Sequence, residues 1–289
     1  MILAMITMTP RNCCGMTELR VACIQNTATR DIQSNIDWVC EHIDDAVAGG
    51  AKFIALPETV GLIEPINARI PAATYSEAGD IGLAAFRDRA LRHGVMILVG
   101  SQLILEDEKI FNRSFLLDSD GEIRARYNKL HMFDIELKNG EAYRESDAIA
   151  PGSKAVIVET ALGRLGLSIC YDLRFGALYR ALAQAGAEII TIPAAFTQTT
   201  GEAHWHTLVR ARAIETGAFI IAPNQCGHHC DKRYSYGHSL IIDPWGEILA
   251  DGGAEPGIIY ADIDLGQVEK VRSRIPSLKN ERPFTLEQQ

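Results

Sequence analysis

Residues 19–25 alternate in the manner of a strand, and the chain behind them changes period at once. From 31 to 48, Ile32, Ile36, Val39, Cys40, Ile43 and Val47 fall on one helical face, and Gly49-Gly50 stops the helix. Residues 53–56 form a short apolar run, read as a buried strand. Residues 81–93 return to helical spacing with Gly94 behind them. Strands are expected at 95–105 and 111–118, and Ser119-Asp120-Gly121 turns the chain into a returning strand at 122–127. The second half repeats the theme. Strands at 155–159 and 164–169 flank a turn at Leu162-Gly163. A helix at 178–185, a strand at 188–192, a helix at 203–216 and a strand at 219–223 follow. Strands at 239–243 and 247–250 meet at Pro244-Trp245-Gly246, and 258–263 closes the series.

Strands alternating with helices predict an α/β fold, and the hairpins make its sheets mixed. No linker rich in Pro, Gly or Ser divides the chain, so residues 18–289 read as a single domain. Residues 1–17 lack a basic start and a cleavage site. They read as a disordered or artefactual extension, with Met16 a plausible alternative start. The polar tail after Val271 is expected to pack on a neighbour or fray.

Composition narrows the function classes. At 289 residues with 47% hydrophobic content, the chain can bury a sizeable core, and no apolar run approaches a membrane span. A net charge of −9 disfavours nucleic acid and anionic membranes as partners, but leaves room for a local basic pocket. Seven cysteines, an odd number in a chain this long, favour a reducing, cytoplasmic compartment over a disulfide framework.

The chemistry concentrates at three strand ends. The run 166–169 delivers Cys170 to the rim of a sheet. By type alone such a cysteine is a small core hydrophobe; its neighbours argue for a nucleophile. Tyr171 N–H stands next to it as an oxyanion donor, and Arg174 offers a fork for a carboxylate. Glu58, behind Pro57, reads either as a surface carboxylate or as a general base with a raised pKa. Lys129 reads either as a solvated lysine or as a fixed cation that favours thiolate and holds an oxyanion. Cys226-Gly-His-His-Cys230 has metal-ligand composition but no second distant pair, and 230–235 reads as a polar loop, so no metal and no cofactor is expected. His204 and His206 flank Trp205 on a helix, for packing or pocket lining.

Leu56-Pro57-Glu58, Tyr127-Asn128-Lys129-Leu130-His131 and Ile169-Cys170-Tyr171-Asp172 occur in this order. Together they resemble the three signatures of the carbon–nitrogen hydrolase (nitrilase) superfamily, over roughly residues 19–275. The resemblance implies a four-layer α-β-β-α sandwich and association as a homodimer or larger homo-oligomer. It also implies a Glu58–Lys129–Cys170 catalytic set, with a second glutamate at Glu145 (Glu141 is a weaker match) orienting the lysine. Ala195-Phe196-Thr197, Thr200 to Trp205, 210–215, 232–239 and 243–246 look most like the branch that includes deaminated glutathione amidase. That likeness implies a small acidic amide substrate, cleaved through a cysteinyl thioester to 2-oxoglutarate and cysteinylglycine. The expected pocket cations are Arg174, Arg233 and Lys232, and the expected walls are Phe196, His204 and Trp205. The rival readings are an ω-amidase or another small-amide, carbamoyl or nitrile hydrolase, and a non-enzymatic assembly or zinc protein built on 226–230.

Overall fold

The computed structural model describes residues 18–288 apart from 137–139 and 141, so the extension at 1–17 and the weaker candidate Glu141 lie outside the described residues. The first half runs β1 (Leu19–Gln25), α1 (Ile32–Ala48), β2 (Phe53–Ala55), α2 (Ile81–His93), β3 (Met96–Glu106), β4 (Lys109–Leu117) and β5 (Ile123–Asn128). A small hairpin of β6 (Asp134–Glu136) and β7 (Ala142–Arg144) follows. The second half runs β8 (Val156–Thr160), β9 (Gly163–Leu167), α3 (Gly176–Gln184), β10 (Ile189–Thr191), α4 (Gln198–Thr216) and β11 (Phe219–Ala222). A second hairpin, β12 (Cys226–Cys230) and β13 (Arg233–Tyr236), leads to β14 (Leu240–Ile242), β15 (Ile248–Asp251), β16 (Gly257–Ile263) and α5 (Gly266–Arg274).

Two six-stranded sheets result, ordered β16-β1-β2-β3-β4-β5 and β15-β14-β11-β10-β9-β8. Each has a parallel centre, β1-β2-β3 or β9-β10-β11, flanked by antiparallel strands. The period of two in the central strands explains the layering. Val21, Cys23, Phe53, Ala55, Met96 and Leu98 meet Leu165 and Leu167 of the opposite sheet. Their sequence neighbours Ala22, Ile24, Ile54, Ile97 and Val99 pack instead under Val39 and Ile43 of α1 and Phe86 of α2. On the far side, Leu178 and Leu182 of α3 and Trp205, Val209 and Ala213 of α4 cover the second sheet. This is the α-β-β-α sandwich that the resemblance implies. Truncating the fully buried Phe86 to Ala costs about 3–5 kcal/mol. A typical exposed ion pair contributes about 0–1 kcal/mol, so the layers hold through apolar packing.

Helix ends follow local chemistry. The Asp31 carboxylate accepts the Ser34 N–H at 3.1 Å to start α1, and Asp80 accepts the Leu83 N–H at 2.7 Å to start α2. Gly94 ends α2 in the left-handed region at φ +62°.

The structure departs from expectation in several places, and it adds the β6–β7 hairpin and α5 to the expected elements. The stretch 230–235 is not a loop: β12 and β13 pair as a hairpin, turning at Asp231-Lys232, because Tyr234 and Tyr236 give it strand character. α4 begins at Gln198 rather than 203; the polar first turn Gln198-Thr199-Thr200 hid its start. The tail beyond α5 meets its own chain, with Glu281 accepting from Arg180 Nε at 2.9 Å and from Gln184 Nε2 at 2.6 Å.

Candidate active site

The carboxyl ends of the parallel strands of both sheets face one cavity of about 760 Å³. Glu58 follows β2, Cys170 follows β9 and Ala195 follows β10. Lys129 stands one residue beyond β5, and Glu145 one residue beyond β7. Two glycines permit this. A Cβ at Gly100 of β3 would stand 1.9 Å from Leu56 O and 2.3 Å from Pro57 O, so only glycine lets β3 pass behind the Glu58 loop. A Cβ at Gly152 would stand 2.3 Å from Asn128 O, and Gly152 N–H bonds Lys129 O at 2.7 Å, pinning the lysine loop.

At the floor, Lys129 Nζ donates to Glu58 Oε1 at 2.8 Å and to both Glu145 oxygens at 3.0 and 2.9 Å. The second Glu58 oxygen accepts Ala195 N–H at 2.8 Å. Asn112 Nδ2 donates to Glu58 Oε1 at 2.9 Å, and Phe133 N–H donates to Glu145 Oε2 at 2.6 Å. Glu58 is 5% exposed, Lys129 2% and Cys170 7%. Buried charges on this scale survive only when paired and hydrogen-bonded, and here each charged group is.

Cys170 opens a short 3-10 turn with φ +46°, a left-handed conformation that costs a non-glycine residue about 1–3 kcal/mol. Its N–H donates to Pro193 O at 2.9 Å. Asp172, wholly buried, locks the turn. It accepts Ile169 N–H at 2.9 Å, Tyr127 O–H at 2.6 Å and His131 N–H at 3.1 Å, and lies 2.6 Å from His131 Nδ1. One carboxylate thus ties the cysteine turn to the lysine loop.

Electrostatics corrects two expectations. Burial by itself would raise the Glu58 carboxyl, but the Lys129 ammonium and hydrogen bonds from Lys129, Cys170 and Ala195 outweigh it and hold it below the usual range. Burial, reinforced by the Glu58 charge, pushes the Cys170 thiol well above its ordinary value against the pull of Lys129. Burial would lower Lys129, yet Glu145 and Glu58 raise it well above the ordinary lysine value. The resting pair is therefore a carboxylate hydrogen-bonded to a neutral thiol. Glu58 is not raised, and Lys129 does not hold a thiolate.

Of the expected pocket residues, Tyr171, Phe196, Lys232 and Arg233 line the cavity. Arg174, His204 and Trp205 do not. Trp205 is wholly buried behind Phe196, with ring centroids 5.0 Å apart, and donates its indole N–H to His238 O at 2.7 Å. His204 is exposed on α4, 3.4 Å from the Arg174 guanidinium, which lies 5.3 Å over the Phe196 ring. These three back the wall instead of forming it. Asn112, Tyr143 and Arg144 line the cavity without a pocket role marked in the sequence, and Ala195 and Thr200, marked there only by the branch likeness, line it too. Asn112 sits mid-strand in β4, where nothing but tertiary contact marks it.

The profile of the carbon-nitrogen hydrolase family matches residues 20–273. The chain belongs to the carbon–nitrogen hydrolase family. A Synechocystis sp. protein named deaminated glutathione amidase is 39% identical over 264 residues, covering 90% of this chain and 96% of its own. A Homo sapiens protein of the same name is 40% identical over 272 residues, covering 91% of this chain and 82% of its own. Among solved structures, the C. elegans NitFhit protein superposes with a TM-score of 0.86 at 34% identity, covering 93% of this chain and 66% of that one. An amidase variant from Nesterenkonia sp. superposes with a TM-score of 0.77 at 25% identity, covering 96% of this chain and 97% of that one. It bears the acetamide moiety of fluoroacetamide on its active-site cysteine. In this carbon–nitrogen hydrolase, Cys226 and Cys230 sit in the β12–β13 hairpin. Cys226 Sγ lies 3.4 Å from Thr27 Oγ1, and Cys230 Sγ lies 3.7 Å from Ile63 O. Both cysteines are free. Among the described residues, no helix is long and apolar enough to cross a membrane.

Proposed function

We propose that the protein is an amidase that cleaves deaminated glutathione to 2-oxoglutarate and cysteinylglycine through a thioester on Cys170. The observation that carries this reading is the cluster of buried Glu58, Lys129 and Cys170 with half-buried Glu145 at the floor of a cavity with cations at its mouth. The names of relatives near 40% identity supply the substrate.

As Cys170 Sγ attacks the amide carbon, its proton passes to Glu58. The negative charge that Glu58 loses reappears on the substrate oxygen, so the buried cluster keeps the same net charge throughout. Lys129 uses two of its N–H bonds on Glu145; turning one to the new oxyanion leaves that ion pair in place. Tyr171 N–H is the second donor. Collapse of the tetrahedral intermediate breaks the C–N bond, and the amine leaves with the proton from Glu58. Water then gives its proton to Glu58 and attacks the thioester. The acid departs, and the proton returns to sulfur.

The mouth fits a dianionic substrate. Arg30 neutralises the acidic rim residues, contacting Glu64 at 2.8 Å and Asp231 at 2.5 Å. Arg144, Lys232 and Arg233 form no ion pair with a described residue, which leaves the rim locally cationic in a chain of net charge −9. Arg233 donates to Ala195 O and lies 5.6 Å over the Tyr143 ring, which fixes its direction. We assign the enzyme to the cytoplasm and to a homodimer or larger homo-oligomer; five free cysteines among the described residues agree with a reducing compartment.

The test is a panel of deaminated glutathione, α-ketoglutaramate, N-carbamoyl amides and nitriles, read by product mass. The expected result is highest kcat/KM on deaminated glutathione, with cysteinylglycine released first and a thioester seen by intact mass. Faster turnover of any other class would overturn the substrate; absence of an acyl adduct with every substrate would overturn the mechanism.

A further inference from the structure

Away from the cavity, three elements bring ligand-type side chains to one point. His206 comes from α4, His238 from the turn between β13 and β14, and Asp251 from the end of β15. The two Asp251 oxygens divide between the imidazoles: Oδ2 lies 3.0 Å from His206 Nε2, and Oδ1 lies 2.9 Å from His238 Nδ1. One such atom from each residue lies within 4.8 Å of the other two, and this is the one such His/Cys/carboxylate group among the described residues. The side chains are 32%, 27% and 35% exposed, half-desolvated yet open on one side.

The surroundings hold the three in place. Tyr236 stacks on His238 at 4.5 Å and meets His206 edge-on at 5.9 Å. His238 has φ +54°, and its N–H donates to Gly253 O at 2.6 Å. Gly253 N–H donates to Asp251 Oδ1 at 2.9 Å. Rings and carboxylate are thus oriented before any ligand arrives.

We propose that His206, His238 and Asp251 form a site for a divalent transition cation of the zinc type. Two imidazoles and one carboxylate suit zinc, cobalt or nickel, whereas magnesium and calcium prefer all-oxygen shells. Zinc stands about 2.0–2.2 Å from such ligands, which puts tetrahedral ligand atoms about 3.4 Å apart. The His–Asp contacts need to open by about 0.5 Å and the two imidazole nitrogens to approach each other, which side-chain rotation supplies. A fourth position is left to water. None of the three residues lines the catalytic cavity. The ion would clamp α4, the post-β13 turn and β15 together, and would stabilise the fold by mass action without entering the amide chemistry. Two imidazoles hydrogen-bonded to one carboxylate, with no affinity for metal, is the alternative outcome.

The test uses full-length protein stripped with chelator, titrated with ZnCl2 by calorimetry and with CoCl2 by visible absorption, and melted with and without zinc. The expected result is one equivalent per chain and a raised Tm. Cobalt should give visible bands without a thiolate charge-transfer band. Binding should weaken by at least about tenfold in His206→Ala and in Asp251→Asn, and persist in Cys226→Ser and Cys230→Ser. His206 is partly exposed, so its variant folds, and His206→Gln with far-UV circular dichroism guards against misfolding. No saturable equivalent in the wild type, binding that survives His206→Ala, or binding lost with the cysteines would each overturn the proposal. Amidase turnover should be the same in His206→Ala as in the wild type.

Discussion

The floor and the mouth of the cavity are built on opposite plans. At the floor, Glu58 and Lys129 are buried and Glu145 is half-buried, and each is held by hydrogen-bonded partners from the loops at the strand ends. At the mouth, Arg144 and Lys232 are exposed side chains with no ion pair to a described residue. A preorganised, water-poor floor can stabilise charge that moves from a carboxylate to a substrate oxygen, because its dipoles need not reorganise. A solvated mouth screens its charges and can only select and steer. In the proposed mechanism, reaction type therefore belongs to the floor, and substrate choice to the mouth.

The strongest test of that division is the sulfur. Cys170→Ser should reduce amide turnover to background and leave no thioester in an intact-mass spectrum, while far-UV circular dichroism stays as in the wild type. Next comes the cation beside it: Lys129→Ala should lower kcat by about a hundredfold or more, the usual cost of one oxyanion donor. A wild-type kcat in that variant would remove Lys129 from the mechanism.

Titration sharpens the comparison further. Glu58 has its folded pKa depressed, so it is ionised through the neutral range, and its stabilising contribution is present above the unfolded value of about 4.3. That contribution is lost as pH falls through the lower folded value. The acid limb of kcat/KM should accordingly lie below about 4.3. Cys170 runs the other way. Its folded pKa is raised, so stability is intact below the unfolded thiol value of about 8.5 and falls as pH rises past it. Relative to Cys170→Ser, the wild type should lose denaturation midpoint in alkaline buffer; parallel midpoints across that range would contradict a neutral resting thiol.

The mouth should yield the smallest effects. Lys232→Ala with Arg144→Ala should raise KM for deaminated glutathione roughly two- to fivefold and leave kcat unchanged, as exposed charges do. The difference should shrink at high salt. A fall in kcat at unchanged KM would mean that floor and mouth are not separable.

Much of this was legible before folding. Helices with clean 3.6-residue faces, such as α1, and strands with turn residues between them, such as β4 and β5, were readable because one buried face imposes its period on the chain. Glu58 and Cys170 stood out because each follows an apolar strand, and Lys129 because it sits in a distinctive local motif behind an alternating one. The β12–β13 hairpin did not, since glycine, histidine and charge interrupt its alternation. Trp205 and His204 stand outside the cavity lining, which the sequence does not reveal, because helical spacing gives an angle about the axis but not what that angle faces.

The sequence by itself determined the alternation of strands and helices and the mixed sheets, because local periodicity carries those, and its short motifs marked Glu58, Lys129 and Cys170 as the candidate reacting groups; the four-layer arrangement was implied by the family those motifs resemble. Only the tertiary structure decided the state of those groups. Whether Cys170 rests as thiol or thiolate, and whether Glu58 is raised or depressed, depends on burial and on the few ångströms separating them from Lys129 and Glu145. Electrostatic energy depends on distance and surroundings in space, and positions 58, 129, 145 and 170 have neither until the two sheets close on one another.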